Sequence, residues 1–308
     1  MLGSIGLVVA GLVVLVAASD RLVVSAVRIA RSLGISAVLI GAVIVGLGTS
    51  LPELLVSALA ARDGQLDVAM ANVVGSNVAN VTLVVGVAAV ITPLAARWKI
   101  LRREGRLMLL AVTALAVVLF DAQVGRFEGI ALAAGIVAAL VLLVVWSVRD
   151  GEEPVLEDDT LAGRSIAWEF AVAVVSLAAT VFAADLLLDG ALGIGERLGL
   201  SATFLGIMLG VGTSLPELAT ALAAARRGES DLVLGNVLGS NIFNSLAVAG
   251  AAGIIGPAEL VDLGRLPILL MLVAAVITGV FSRTGARVNR AEGVVLVALF
   301  GGFTLAGL

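Results

Sequence analysis

Apolar runs of roughly bilayer-spanning length, separated by short polar clusters, recur along the whole chain. A hydrocarbon core about 30 Å thick is crossed by roughly 20 apolar helical residues. On that scale the pattern predicts ten spans, at 4–29, 36–62, 67–92, 104–120, 127–148, 166–189, 201–225, 231–255, 266–282 and 291–307. The first runs on into an amphipathic end carrying Arg21, Arg28 and Arg31. It lacks the basic n-region of a signal peptide, and a similar apolar segment recurs at 170–185, so a true membrane helix is expected there. One long polar connector, 149–165, holds Asp150, Glu152, Glu153, Pro154, Glu157, Asp158 and Asp159 and reads as a solvated linker. The expected class is an all-α integral membrane protein.

The pattern also repeats itself. GTSLPEL stands at 48–54 and again at 212–218, and NVVGSNVAN at 72–80 is answered by NVLGSNIFN at 236–244. Asp67 matches Asp231, Gly86 matches Gly250 and Pro93 matches Pro257, every pair 164 residues apart. Five predicted spans separate corresponding points, and five is odd, so the second copy enters the membrane upside down. The expected fold is therefore ten transmembrane helices in two inverted-topology five-helix repeats, 1–148 and 166–308, with motifs at 46–93 and 210–257 joined by the linker 149–165. Secondary transporters use this architecture and place their substrate at the repeat interface near the midplane.

Composition strengthens the class. The chain has 308 residues, 60% of them apolar, and a mean hydropathy of +1.16; soluble domains average about 45–50% apolar. No Cys and no His are present, which excludes disulfides, thiolate metal sites and the commonest proton shuttle. Odd-numbered loops hold 15 of the Lys and Arg residues and even-numbered loops hold 4. The excess places the odd loops and the acidic linker in the cytoplasm and both termini outside the inner (plasma) membrane. Nothing in this distribution predicts nucleic-acid binding.

The repeated residues are polar ones in apolar surroundings. Pro52 lies inside a span, lacks an N–H and clashes with the carbonyl four residues back, which releases carbonyls near Gly48 and Thr49. Thr49, Ser50 and Glu53 share one helix face, as do Thr213, Ser214 and Glu217 around Pro216. Hydroxyls, freed carbonyls and a carboxylate make a set of hard oxygen donors of the kind sodium and calcium take. A carboxylate at a helix centre costs about 2.5–3.5 kcal/mol on insertion scales, so two facing each other demand a cation. Asn72, Ser76 and Asn80, four apart, form a polar stripe, and Asn236, Ser240 and Asn244 repeat it. Gly75 and Gly239 beside them are expected to admit a close neighbour. Asn72, Asn77, Asn236 and Asn241 are equally readable as glue between helices. Asp20 and Asp185 are expected to have interfacial or packing roles.

In these motifs the chain resembles the calcium:cation antiporter superfamily, in its prokaryotic sodium/calcium exchanger branch, whose α-repeats carry GTSLPE and GSNxxN twice. The resemblance covers the full ten-span layout. It implies that Glu53 and Glu217 bind calcium, with backbone carbonyls of Thr49 and Thr213. It implies too that Ser50, Ser76, Ser214 and Ser240 line flanking sodium sites and that Asn80 and Asn244 stand across the centre. Gly46 and Gly210 are further candidate backbone ligands. Some prokaryotic members carry Asp in place of Asn244, and many carry Ala in place of Gly46 and Gly210, so a looser helix is expected there.

The expected function is antiport of sodium against calcium by alternating access, electrogenic when several sodium ions oppose one calcium. No cofactor is implied beyond the transported Ca²⁺ and Na⁺; the partners are inorganic cations and the lipid bilayer. A calcium/proton or other divalent antiporter is the alternative, though amides at 80 and 244 leave proton coupling to Glu53 and Glu217 alone. A cation channel is a further alternative, disfavoured because its rings usually come from several subunits. A hydrolase is disfavoured because no intramembrane His or Lys can activate a serine.

Overall fold

The computed structural model describes residues 2–150, 165–198, 212–260, 263–283 and 286–306. It is helical almost throughout. α1 (Leu2–Leu33) has 32 residues, which at 1.5 Å per residue is roughly 48 Å, longer than a bilayer core is thick. Ser36 caps the next helix, accepting from the Leu39 N–H at 3.1 Å. That helix is α2 (Ala37–Ile40), continued by a π-helical stretch Gly41–Gly46 and α3 (Leu47–Thr49). It breaks at Ser50 (φ −88°, ψ 9°), and α4 (Leu51–Arg62) departs at 43° with Pro52 in its first turn. A proline there costs nothing, because the first helical N–H groups have no partner anyway.

α5 (Leu66–Ala79) passes through a π-helical turn, Asn80–Val84, into α6 (Val85–Ile91). Strand β1 (Leu94–Ala95), the short α7 (Trp98–Arg102) and α8 (Glu104–Phe120) follow, then β2 (Gln123–Val124) and α9 (Arg126–Asp150). Of the acidic linker, 151–164 lies outside the described residues. α10 (Ile166–Arg197) again has 32 residues. α11 (Leu215–Arg226) starts after Ser214 (φ −90°, ψ 8°), the same break as at Ser50. α12 (Ser230–Phe243), a π-helical turn Asn244–Val248 and α13 (Ala249–Ile255) repeat the third helix. β3 (Ala258–Glu259), α14 (Arg265–Phe281), β4 (Arg287–Val288) and α15 (Arg290–Ala306) complete the chain.

Among the described residues five helices are long and apolar enough to cross a membrane, six with the bent pair 37–62 as one span. Their burial is inverted relative to a soluble protein. The motif-bearing helices 66–91 and 230–255 are buried over 72% and 89% of their apolar windows, while those of α1, α9 and α10 are buried over 22%, 22% and 28%. The outer faces carry bare apolar side chains such as Val13, Val117, Phe127, Val175 and Phe182. The repeated polar groups lie inside, and hydrocarbon surface lies outside. A protein in lipid has that arrangement, since water is not there to penalise the exterior.

Contacts come in pairs related by the 164-residue shift. β1 pairs with β4 through Leu94↔Val288 and Ala95↔Arg287, and β2 pairs with β3 through Val124↔Ala258 and Gln123↔Glu259. Adding 164 to one member of each first pair, and subtracting it from the other, yields the second. The glycines behave alike. A Cβ on Gly86 would stand 2.8 Å from the Gly293 carbonyl, and one on Gly250 would stand 3.0 Å from the Gly129 carbonyl. α1 and α10 pack antiparallel along their lengths, Gly11 against Ala183 and Leu187 at one level, Gly190 against Ser4 and Val8 at another. Gly239 admits the backbone of Ala42 as expected, whereas around Gly75 no described atom comes within 4 Å of where a Cβ would be.

Candidate functional site

Both helix breaks point their carboxylates into the interior. Glu53, in the first turn of α4, and Glu217, in the first turn of α11, are each 0% exposed. Ser50 donates its hydroxyl to Glu217 Oε1 at 2.8 Å, so the serine of one motif holds the carboxylate of the other. Ser214 and Ser76 lie against Glu53, and Ser50, Thr49 and Ser240 against Glu217. The serines of the two clusters exchange under the same 164-residue shift. Glu217 bears electrostatically on Glu53, and among the described residues no Arg or Lys acts on either.

The site is rich in oxygens that have no hydrogen-bond partner. Glu53 Oε1 and Oε2, Glu217 Oε2, Ser76 Oγ, Ser214 Oγ, Asn80 Oδ1 and Asn244 Oδ1 are all buried and unpaired among the described residues. Leaving one such group unsatisfied costs about 1–3 kcal/mol, and a buried carboxylate costs more. A protein retains a cluster of them only where something else satisfies them, and a hard cation surrounded by oxygen does so. Among the described residues no group of three or more His, Cys, Asp or Glu side chains forms. The cluster is two carboxylates completed by neutral hydroxyl and amide oxygens, a set suited to binding a cation and letting it go.

The backbone is positioned by side chains that sequence reasoning had classed as glue. Asn72 Nδ2 donates to the Glu53 carbonyl at 3.4 Å and to Ser57 Oγ at 3.0 Å. Asn236 Nδ2 donates to the Glu217 carbonyl at 3.3 Å and to Thr220 Oγ1 at 3.1 Å. Asn77 donates to Ser245 at 2.9 Å, and Asn80 donates to Asn241 Oδ1 at 3.2 Å, tying the two motif helices together. Ser57, Thr220 and Ser245 were not singled out from the sequence. The first two lie one helical turn after each glutamate, on its own face, which is the signal that marks them. The π-helical turns opening at Asn80 and Asn244 were also missed; such turns are frequent at functional sites, and no residue type announces them.

Thr49 Oγ1 donates to the Val45 carbonyl at 2.9 Å, so its hydroxyl is engaged by its own helix. Thr213 is helical and half-buried. The Gly46 carbonyl accepts from Ser240 Oγ at 3.1 Å. A Cβ on Gly46 would come within 2.9 Å of the Asn236 carbonyl and 3.0 Å of the Ser240 N–H nitrogen. Gly46 is therefore a point of tight packing against α12, at the end of the π-helical stretch Gly41–Gly46. Gly210 lies outside the described residues. Asp20 makes a forked pair with Arg227, Oδ1 to Nε at 2.8 Å and Oδ2 to Nη2 at 2.7 Å, and Asp185 is exposed on α10. Neither reaches the glutamates.

The family model for the sodium/calcium exchanger protein matches residues 3–146 and 168–307 of this chain. The chain belongs to the sodium/calcium exchanger family. Among curated relatives, CaxA of Alkalimonas amylolytica is 38% identical over 305 residues, 96% of each chain. The sodium/calcium exchanger MaX1 of Methanosarcina acetivorans is 31% identical over 333 residues, 95% of each. The solved structure of the sodium-calcium exchanger NCX_Mj superposes with a TM-score of 0.85 at 28% identity, covering 100% of this chain and 99% of that one. Exchangers of this family are cation antiporters rather than enzymes, and this member is a multi-pass helical membrane protein that moves inorganic cations.

Proposed function

We propose that this exchanger moves sodium against calcium through a single site between two inverted five-helix repeats, 1–148 and 166–308. The observation that carries the reading is the Ser50–Glu217 hydrogen bond, which joins the two motifs around a cluster of unpaired, buried oxygens. One calcium ion neutralises Glu53 and Glu217 and takes its remaining donors from the Thr49 and Thr213 carbonyls. Sodium ions occupy flanking positions bounded by Ser50, Ser76, Ser214 and Ser240, with the Gly46 carbonyl as a further donor. Asn80 and Asn244 face each other across the centre. Two carboxylates cannot hold a calcium and several sodium ions at once, because the surplus positive charge would be buried; occupancy by one kind excludes the other, and exclusion is what couples the fluxes.

Inverted repeats supply alternating access, because exchanging their conformations exchanges which side of the membrane is open. The shift-related pairs β1–β4 and β2–β3 support that architecture. α8, α14 and α15, at 17 residues each, reach the lower limit for a span and with the six longer ones bring the crossings among the described residues to nine; the tenth, 201–225, is described only from residue 212 and ends in α11. The linker 149–165 is then cytoplasmic and both termini face outward, as the distribution of Arg and Lys requires.

Sodium rather than proton coupling is supported by the amides at Asn80 and Asn244, by the absence of His, and by the sodium/calcium activities printed in the names of MaX1 and NCX_Mj. The test is calcium-45 uptake into sodium-loaded proteoliposomes, with and without an outward sodium gradient. Gradient-dependent, saturable uptake is expected. Equal uptake driven by a proton gradient alone overturns the sodium assignment, and non-saturating flux in both directions indicates a channel.

A further inference from the structure

A second feature lies away from the ion site, where α8 begins and α14 ends. A groove of about 160 Å³ runs between these helices, walled by Val81, Val85, Leu234, Val237 and Val276, with Arg106 and Arg283 in its lining. Two wall positions are glycines. A Cβ on Gly279 would meet no described atom within 4 Å, and one on Gly105 would meet only the Ile100 carbonyl, at 3.8 Å. Leu109, Val276 and Val280, in the same lining, are exposed on the apolar exterior, so the groove opens onto the lipid-facing surface.

A charged hollow of about 410 Å³ adjoins it, lined by Trp98, Lys99, Arg102, Arg103 and Arg106. Arg106 is common to both. Arg102 and Arg283 flank the Trp98 ring, their guanidinium carbons 5.9 and 5.3 Å from its centroid. Arg97 is committed elsewhere, to Asp231 at 2.9 Å, and Glu104 is the one carboxylate in the stretch 97–106. The pairing of β1 with β4 sets Arg287 beside Ala95, bringing both basic loops to one face.

A free anion would use the charged hollow and leave the groove irrelevant. A cationic amphiphile would be repelled at the mouth. An anionic amphiphile uses both parts: planar guanidinium groups grip a phosphate through paired N–H donors, and an apolar tail lies along the valines. An interfacial tryptophan marks the depth at which headgroups sit. We propose that this is a binding site for one anionic glycerophospholipid, its phosphate held by Arg102, Arg106 and Arg283 and one acyl chain in the groove. The inference rests on the membrane reading and is independent of the ion site.

The test is native mass spectrometry of the purified full-length protein in detergent, titrated with phosphatidylglycerol, phosphatidylcholine or inorganic phosphate. One phosphatidylglycerol is expected to be retained in preference to phosphatidylcholine. Arg106→Ala and Arg283→Ala should each weaken retention about fivefold, the effect of one cation beside an anionic headgroup. Gly279→Phe, which removes no charge and whose Cβ meets no described atom within 4 Å, should weaken it comparably by filling the groove. Arg126→Ala, on the basic residue that opens α9, should leave it unchanged. Equal retention of phosphatidylcholine overturns the proposal, as does undiminished retention by Arg106→Ala and Gly279→Phe together. Displacement of the lipid by millimolar inorganic phosphate, with Gly279→Phe behaving as wild type, makes the hollow a free-anion site and overturns it equally.

Discussion

Ser50 and Glu217 stand 167 positions apart in the chain and 2.8 Å apart in space, the hydroxyl donating to the carboxylate at a fully buried point. The serine of the first motif thus orients the carboxylate of the second, while Ser214 of the second lies against Glu53 of the first. Neither half contains a complete site, and the site exists only while the two halves face each other. A transporter that must open to one side and then the other is well served by such division, because small relative movements of the halves change the site itself.

Loss of either carboxylate should abolish exchange. Substitution of residues that merely support a metal ligand typically costs about 10–100-fold in affinity, so Glu53→Gln and Glu217→Gln should each lower sodium-driven calcium uptake by more than about 100-fold. Both variants should fold, and in buffer free of sodium and calcium their melting temperatures should rise, because a buried charge that opposes its neighbour has been removed. Calcium at about 100 times its dissociation constant should stabilise the wild type by about 2.7 kcal/mol and the variants hardly at all. Robust uptake by either variant in proteoliposomes would remove these residues from the site.

The bracing asparagines should matter unequally. Asn236 is buried and Asn72 is half-buried, though each holds the carbonyl of a glutamate residue. Asn236→Ala removes a buried donor from both the Glu217 carbonyl and Thr220 Oγ1, so calcium affinity should fall by about 10–100-fold, in the range of lost supporting contacts. Asn72→Ala should cost less, since water can replace its amide. Calorimetric titration with calcium measures both, and an equal loss would show that burial does not set the difference.

The crossings of Gly86 with Gly293 and of Gly250 with Gly129 should be energetically alike. Alanine at either Gly86 or Gly250 forces a Cβ against backbone and should destabilise the fold by about 1–3 kcal/mol, as overpacking does. Gly6→Ala, where a Cβ meets no described atom within 4 Å, is the control and should be neutral or slightly stabilising in its helix. Thermal unfolding in one detergent reads all three. A large effect at one crossing and none at the other would contradict the equivalence of the two contacts.

Asp20 and Arg227 tie α1 to the turn between α11 and α12, and Arg31 reaches Glu229 in the same turn at 3.7 Å. The positions that correspond to Asp20 and Arg227 in the other copy are Asp185 and Asp63, both acidic, so the equivalent pair cannot form there. The clasp therefore exists on one side of the molecule alone. Asp20→Asn should loosen that side, by up to about 1 kcal/mol for an exposed pair, or roughly fivefold in population. The chain has no native cysteine, so single cysteines placed on either side report the change by their labelling rates. The effect should shrink at high salt, and labelling that is unchanged in Asp20→Asn would show that the pair biases nothing.

Much of this was legible in the residues because a membrane leaves a chain few options. Backbone polar groups must pair within a segment, so apolar runs become helices wherever lipid surrounds them, and the boundaries read at 36–62, 67–92 and 231–255 fall within a few residues of the helices observed. The repeated heptapeptide marked Glu53 and Glu217 because buried carboxylates are too costly to recur without cause. What no local pattern carried was the partnership across the halves. That Ser50 serves Glu217, that Gly46 is packed against α12, and that Asn80 and Asn244 open π-helical turns all depend on how two helices meet, and a residue's neighbours across an interface leave no periodic trace in its own segment. Local chemistry determined which groups had to be hidden from lipid; only the tertiary packing decided which of them meet.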